Sequence, residues 1–206
     1  MMKDSVITAV KKAGKRYRVY LDDKPVFSVS AAEAADLDLH EGDILSAERY
    51  MQISEKILKR DAVEKSLGML ERGDRTCSQI RQSLTRLSFP AEVIEETVQK
   101  LIRAGYLDDL RFSIHYVETH TRKDSAAMIR QQLRMKGVPQ DTVREALSQA
   151  FEADEKEQIL FWMNKKRFDP ETADQKEKER MIRFLSSRGY SWSGIGSCLN
   201  DIDISL

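Results

Sequence analysis

The stretch Gly105–Val138, GYLDDLRFSIHYVETHTRKDSAAMIRQQLRMKGV, decides the fold, because its apolar pattern occurs both before and after it in the chain. Successive copies lie 49 and then 52 residues apart. The repeated positions are Ile80, Leu84, Phe89, Ile94 and Val98, then Ile129, Leu133, Val138, Val143 and Leu147, then Leu185, Tyr190, Ile195 and Leu199. A period of about fifty residues is typical of one helical unit stacked several times. We therefore expect a mainly α protein with three tandem three-helix repeats in an elongated, curved array.

The composition favours small modules over one large core. Of the 206 residues, 41% are hydrophobic and 33% are charged, which is typical of a folded chain whose short helices each bury a modest surface. Basic and acidic residues both number 34, so no net charge would attract the whole molecule to nucleic acid or to a membrane. Any electrostatic binding must come from a local excess of charge.

The N-terminus and the cysteines predict a cytosolic protein. The segment MMKDSVITAVKK has no apolar run long enough for a signal peptide or a membrane span. Cys77 and Cys198 each lie within a helical pattern, which predicts unreactive thiols and no disulfide. The three histidines lack metal-ligand spacing with these cysteines, so no metal site is expected.

Residues 1–48 predict a small β-containing N-terminal module. RYRVYL alternates from Arg16 to Leu21 as a strand does, and Asp22 and Asp23 supply a turn before a second strand. Ser30 followed by Glu33 matches a capping box, so a short helix should follow.

The three repeats are expected at residues 57–106, 107–150 and 151–206. Thr76 with Gln79 predicts the start of one helix, and Ser125 the start of another. On the first helix of the first repeat, the apolar face is expected to consist of Val63, Leu67 and Leu70. In the third repeat, we expect Asp169 and Pro170 to be the cap and first position of the second helix.

The sequence contains no recognisable catalytic constellation, so neither an enzyme nor a bound cofactor is expected. No Gly-rich loop matches a phosphate-binding motif, and no serine lies in a nucleophile elbow. Asp108 and Asp109 are adjacent carboxylates at a helix junction, where helix capping is the simpler explanation. For the aromatic Tyr106 and Trp192, packing is favoured over exposure.

A local excess of positive charge lies in the middle repeat. Between residues 111 and 136 the sequence has six basic and two acidic residues. The basic residues are Arg111, Arg122, Lys123, Arg130, Arg134 and Lys136. A solvated helix surface would explain them, and so would contact with DNA phosphates or with an acidic protein groove. Arg130 and Arg134 are four residues apart and should project together from one helix.

The motif GYLDDLRFS, followed by RQQLRMKGV, resembles the RecX family of regulators of the RecA recombinase. The resemblance covers about residues 57–200 and includes a characteristic turn between the first two repeats. The matching residues, which we expect to be structural at this junction, are Gly105, Tyr106, Asp108, Asp109 and Phe112.

The resemblance implies a non-enzymatic regulator that binds in the groove of the RecA–DNA filament and inhibits ATP hydrolysis and strand exchange by RecA. Because of their local excess of charge, the basic residues of the middle repeat are the leading candidates for this interface. A monomer is expected, since a repeat protein of this kind needs no partner to close its ends. Two alternatives remain at this point. The first is a tandem helix-turn-helix protein that binds DNA without RecA, and the second is a helical scaffold that contacts another protein through its N-terminal module.

Overall fold

The computed structural model of the protein describes residues 4–151 and 154–199, and its N-terminal part is a four-stranded antiparallel sheet. The strands are β1 Ser5–Ala13, β2 Arg16–Leu21, β3 Lys24–Ser30 and β4 Ile44–Leu45, in the spatial order β3-β2-β1-β4. The β2–β3 hairpin turns at Asp22 and Asp23, whose φ angles of 47° and 65° are both positive. Such turns match the twist of a hairpin, and Asp tolerates this conformation. The predicted hairpin is confirmed.

The first half of the chain has five α-helices in its described residues, of which the first lies between β3 and β4 and the others follow the sheet. The five helices are α1 Ala31–Leu37, α2 Ala47–Ile53, α3 Lys59–Leu70, α4 Cys77–Arg86 and α5 Ala91–Arg103. Ser30 and Glu33 form the predicted capping box at α1. Thr76 and Gln79 form the one predicted at α4.

A single π-turn at Ser54–Leu58 joins α2 and α3 into one continuous helical segment. Its buried residues include Ile53, Leu58, Ala62 and Ser66. Of the predicted apolar face of α3, Leu67 and Leu70 pack half-buried against the hydrophobic core, and Val63 is also half-buried. The π-turn adds one residue to the helix, so the apolar period of a regular α-helix does not continue from α2 into α3.

The sheet and the first repeat share one hydrophobic core, which includes Phe27 and Leu45 from the strands and Ile80 and Leu84 from α4. A compact unit of the chain ends at Asp108, and a second begins at Asp109. Deletion of residues 1–48 would remove part of the core of the first repeat. The fold of the first repeat therefore depends on the N-terminal sheet.

The helices of the second unit are α6 Asp109–His120, α7 Ala126–Met135, α8 Gln140–Ala150, α9 Glu155–Lys165, α10 Gln175–Ser187 and α11 Trp192–Cys198. One cluster of buried residues links α6, α7 and α8, and another links α9, α10 and α11. On α6 the fully buried residues are Ser113 and Val117. Phe112, Ile114 and Tyr116 pack half-buried against the same core.

The middle helix ends in the same way in all three repeats. The amide N–H groups of Phe89, Val138 and Tyr190 donate to the carbonyls five residues earlier, at 3.1, 3.1 and 3.3 Å. The residues immediately before them, Ser88, Gly137 and Gly189, have positive φ angles of 60°, 78° and 78°. This is the left-handed helix ending that glycine favours. All the repeated apolar positions predicted from the sequence are buried.

The predicted start of α10 is wrong. Asp169 and Pro170 do not open the helix, because the Asp169 carboxylate accepts from the Glu171 amide at 3.0 Å and from the Thr172 hydroxyl at 3.0 Å. These bonds close a local turn before the helix. The helix begins at Gln175, where Asp174 and Glu177 form a capping box. Within the described parts of the chain, no helix combines the length and the apolar character needed to span a membrane.

Candidate functional site

The structure places the six basic residues of the middle repeat on three neighbouring segments. Arg111 lies on α6, Arg122 and Lys123 lie in the α6–α7 connection, and Arg130 and Arg134 lie on α7. These five side chains are exposed, whereas Lys136, at the C-cap of α7, is half-buried. The five exposed side chains can therefore be reached from solvent.

The outer surface of α7 carries Arg130 and Arg134 together, as their spacing predicted. Both line a shallow surface depression with Ala127, Gln131 and Met135, and no acidic side chain lines it. Met135 is 77% exposed, the largest value among the exposed large hydrophobic residues. Over the residues that the structure describes, neither arginine forms a salt bridge. We call these five residues the α7 surface.

The equivalent position in the first repeat is neutralised. Arg81, which lies 49 residues before Arg130, donates from Nε and Nη2 to the two carboxylate oxygens of Glu95, at 2.7 and 3.0 Å. The hydrogen bond from Arg81 also lowers the pKa of Glu95. A bidentate pair of this kind satisfies the charge of both partners.

In the second repeat the same register replaces the glutamate with Arg144. Arg144 donates instead to Asp141 on its own helix, at 2.6 Å. In the third repeat, 52 residues further on, the two positions are Ile182 and Gly196. Among these aligned pairs, Arg130 of the middle repeat is therefore the one arginine that has no carboxylate at the position aligned with Glu95.

Aromatic rings lie beside two of the other basic residues, Arg122 and Lys136. The Arg122 guanidinium is 5.5 Å from the centre of the Phe161 ring, and Lys136 Nζ is 5.1 Å from that of Tyr116. Phe112 and Tyr116 stack with a centroid distance of 6.2 Å. Cation–π contacts of this kind help to hold the two cations in place.

The residues expected at the first repeat junction have varied surroundings. Gly105 has a φ of 75° and ends α5, as predicted. Asp108 immediately precedes α6 and Asp109 is its first residue, the place where carboxylates stabilise a helix. The preference for packing of Tyr106 and Trp192 is wrong, since they are 56% and 57% exposed.

Sequence reasoning missed Gln131 and Met135 on the α7 surface. Their four-residue spacing, which continues from Ala127, could have indicated that they share one side of the helix. It also missed the polar residues Gln158 and Arg188 of the third repeat, which contact the α6–α7 connection. No local pattern identifies these contacts, because their partners are 34 and 64 residues away in the chain. Both cysteines are buried, and burial raises the pKa of the Cys198 thiol.

Three domain models of one family match successive parts of the chain. They are described as the first, second and third three-helix domains of RecX, and they match residues 62–101, 108–147 and 153–199. A protein named Regulatory protein RecX from Trichlorobacter lovleyi is 32% identical over 130 residues, which are 61% of this chain and 84% of that protein. The chain belongs to the RecX family. The predicted three tandem repeats are thereby confirmed.

Other RecX proteins align over nearly the whole chain. Regulatory protein RecX of Clostridium acetobutylicum is 27% identical, with 98% of each chain covered. That of Bacillus subtilis is 26% identical over 96% of this chain and 76% of its own length. A crystal structure of regulatory protein RecX superposes with a TM-score of 0.59 at 25% identity, covering 96% of this chain and 100% of the other.

Proposed function

We propose that this protein binds the RecA–DNA filament and regulates it, with inhibition of ATP hydrolysis and strand exchange as the usual result. The observation that carries the proposal is the α7 surface, where Arg130 and Arg134 are exposed in the absence of a lining carboxylate. The RecA–DNA filament offers DNA phosphates and acidic protein side chains, both of which attract such a surface. The regulatory name of its relatives also supports the proposal.

The proposed action is binding without catalysis. Arg111, Arg122, Lys123 and Lys136 would add contacts on either side of the α7 surface, and several modest contacts together give useful affinity. The protein would act as a monomer, because a tandem-repeat protein needs no second copy to complete its fold. Since its partner assembles on chromosomal DNA, the proposal places the protein in the cytoplasm.

The decisive experiment is the ATPase rate of RecA on single-stranded DNA, measured with and without this protein. The wild-type protein should lower the rate. The double variant Arg130→Glu, Arg134→Glu should bind the filament about tenfold more weakly or worse, since two attractive contacts become repulsive. Its circular dichroism should match the wild type, because both side chains are exposed.

Arg81→Ala is the matched control, because it removes the equivalent arginine of the first repeat, which Glu95 already neutralises. It should leave the inhibition of RecA unchanged. Unchanged inhibition by the double variant would instead remove Arg130 and Arg134 from the interface. Absence of any effect of the wild-type protein on RecA would refute the proposed function.

The alternative is a protein that binds DNA without RecA, which the arginines of the α7 surface would also suit. It predicts tight binding of naked DNA with a steep salt dependence. Few Asn or Gln side chains accompany the arginines, so contact with the DNA backbone fits better than sequence-specific contact. Weak binding to naked DNA with tight binding to RecA-coated DNA would support the filament proposal.

A further inference from the structure

Residues 121–125, which we call the basic loop, connect α6 to α7 and are hydrogen-bonded to the third repeat. The Lys123 carbonyl accepts from Trp162 Nε1 at 2.7 Å and from the Tyr190 hydroxyl at 3.1 Å. Gln158 Nε2 donates to the Asp124 carbonyl at 3.1 Å and also to the Thr121 carbonyl. Three buried side chains of the third repeat thus determine the path of the loop backbone.

The C-terminal side of the basic loop is fixed by Arg188. The Arg188 guanidinium lies 3.1 Å from the Asp124 carboxylate and 3.9 Å from the centre of the Trp162 ring. The Arg188 carbonyl accepts from the Ser125 hydroxyl at 2.6 Å. The contact is close, because a Cβ atom on Gly189 would lie 2.9 Å from Ser125 Oγ.

These contacts determine which charges the basic loop offers to a partner. Asp124 is the only acidic residue of the loop, and Arg188 neutralises it. Arg122 and Lys123 remain exposed, and in the described parts of the chain neither forms a salt bridge. The loop therefore presents two adjacent positive charges, beside the Phe161 ring that the Arg122 guanidinium covers.

We propose that Trp162, Tyr190 and Gln158 are positioning residues that preorganise Arg122 and Lys123 to bind the phosphates of a nucleic acid strand. Adjacent cations beside an aromatic ring are typical of sites that follow a nucleic acid backbone. Preorganisation increases affinity because the loop loses little conformational entropy on binding. The inference depends on the proposed function, in which the strand is the DNA of the RecA filament.

A double-mutant cycle tests this coupling. Trp162→Phe keeps an aromatic ring but removes the N–H donor, and it should weaken binding to RecA-coated single-stranded DNA by about threefold to tenfold, the value of one hydrogen bond. In the background of Arg122→Ala and Lys123→Ala the same substitution should have almost no effect, because the side chains that it positions are gone. Tyr190→Phe, which removes only a hydroxyl, should behave in the same way.

The matched control is Trp192→Phe, the same substitution at the other tryptophan of the chain, which is 57% exposed. It should leave affinity unchanged. Hydrogen exchange should show that Trp162→Phe accelerates exchange of the Lys123 and Asp124 amides, which donate to the His120 carbonyl. A loss of affinity that is equally large without Arg122 and Lys123 would overturn the proposal, since Trp162 would then act only through general stability.

Binding to naked single-stranded DNA distinguishes failure of the positioning role from failure of the proposed function. If phosphates are the partner, the Arg122→Ala, Lys123→Ala variant weakens binding to naked and RecA-coated DNA alike. Weakening on RecA-coated DNA alone would show that an acidic protein surface is the partner, which overturns the assignment to phosphate. If the wild type bound naked DNA with the predicted coupling but ignored RecA, the proposed function would fail while the positioning role would stand. Absence of binding to either would overturn both.

Discussion

Arg16 Nη1 lies 2.7 Å from a carboxylate oxygen of Asp61, in a salt bridge that joins the sheet to the first repeat. Both side chains are largely shielded from water, with 12% and 9% exposure, and the Arg16 guanidinium also lies 5.1 Å from the centre of the Phe89 ring. Among the residues that the structure describes, removal of Arg16 would leave the buried Asp61 charge with Lys65, 3.5 Å away, as its ion-pair partner.

We therefore expect Arg16→Ala to lower the free energy of unfolding by about 3 kcal/mol, the usual cost of breaking a buried ion pair from one side. Urea denaturation followed by circular dichroism measures it. Arg60→Ala is the control, because its 3.5 Å contact with Glu33 is exposed on the arginine side and should contribute less than about 1 kcal/mol. Equal effects of the two substitutions would contradict this assignment.

Gly189→Ala should destabilise the third repeat by about 2 kcal/mol or more, because a left-handed backbone is costly for alanine. The added Cβ would also lie 3.0 Å from the Cβ of Ala127. Gly196→Ala is the opposite case, since it lies within α11 and its Cβ would meet no atom within 4 Å. It should stabilise the protein by about 0.5–1 kcal/mol, the helix preference of alanine over glycine. Thermal melting should show a lower melting temperature than the wild type for Gly189→Ala and a higher one for Gly196→Ala.

Stability should fall as the pH rises above 10, because burial raises the pKa of Tyr190 from 10.0 to about 12. Below pH 10 the phenol is protonated in both states, and its contribution to stability is fully present. Between pH 10 and about 12 the unfolded chain loses this proton while the folded chain keeps it, so unfolding becomes more favourable. Denaturant melts across this range should show a steeper loss for the wild type than for Tyr190→Phe. Identical slopes would exclude Tyr190 as the cause.

Arg144→Glu should weaken filament binding without altering Arg130 itself. By the repeat register it places a carboxylate where the first repeat has Glu95, so it should neutralise Arg130 as Glu95 neutralises Arg81. We expect a loss of affinity of about tenfold for the RecA filament, measured by anisotropy. Arg144→Gln removes the original charge without adding the new one and should have a smaller effect. Equal effects would show that Arg144, rather than the neutralisation of Arg130, determines affinity.

Helix ends and the repeating core were predictable from sequence because their causes are local. Two helices begin with capping boxes, Ser30 with Glu33 and Thr76 with Gln79, whose hydrogen bonds join residues three positions apart. The apolar positions follow from the helical period. Asp169 shows the limit of such rules. An aspartate before a proline is suited to a helix start and to a local turn alike, and here its carboxylate forms the turn.

The candidate site was predictable only in part. The spacing of Arg130 and Arg134 predicted that they share a surface, but the neutralisation of Arg81 by Glu95 depends on how two helices pack. Trp162 and Tyr190 donate hydrogen bonds to the Lys123 carbonyl of the basic loop, which lies 39 and 67 positions away in the sequence. Such contacts depend on the tertiary arrangement, for which a single sequence has no local signal.

The π-turn at Ser54–Leu58 absorbs one residue more than a regular α-helix would hold between Ile53 and Leu58. Each residue of an α-helix advances the side chains by about 100° around its axis, so residues four and eight apart lie on the same side. A single-residue deletion at Glu55 would let the backbone form an ordinary α-helix with Ile53 four residues before Leu58 and eight before Ala62. The shortened helix would therefore still bury both of its halves, whereas a deletion within α3 would turn one half away from the core.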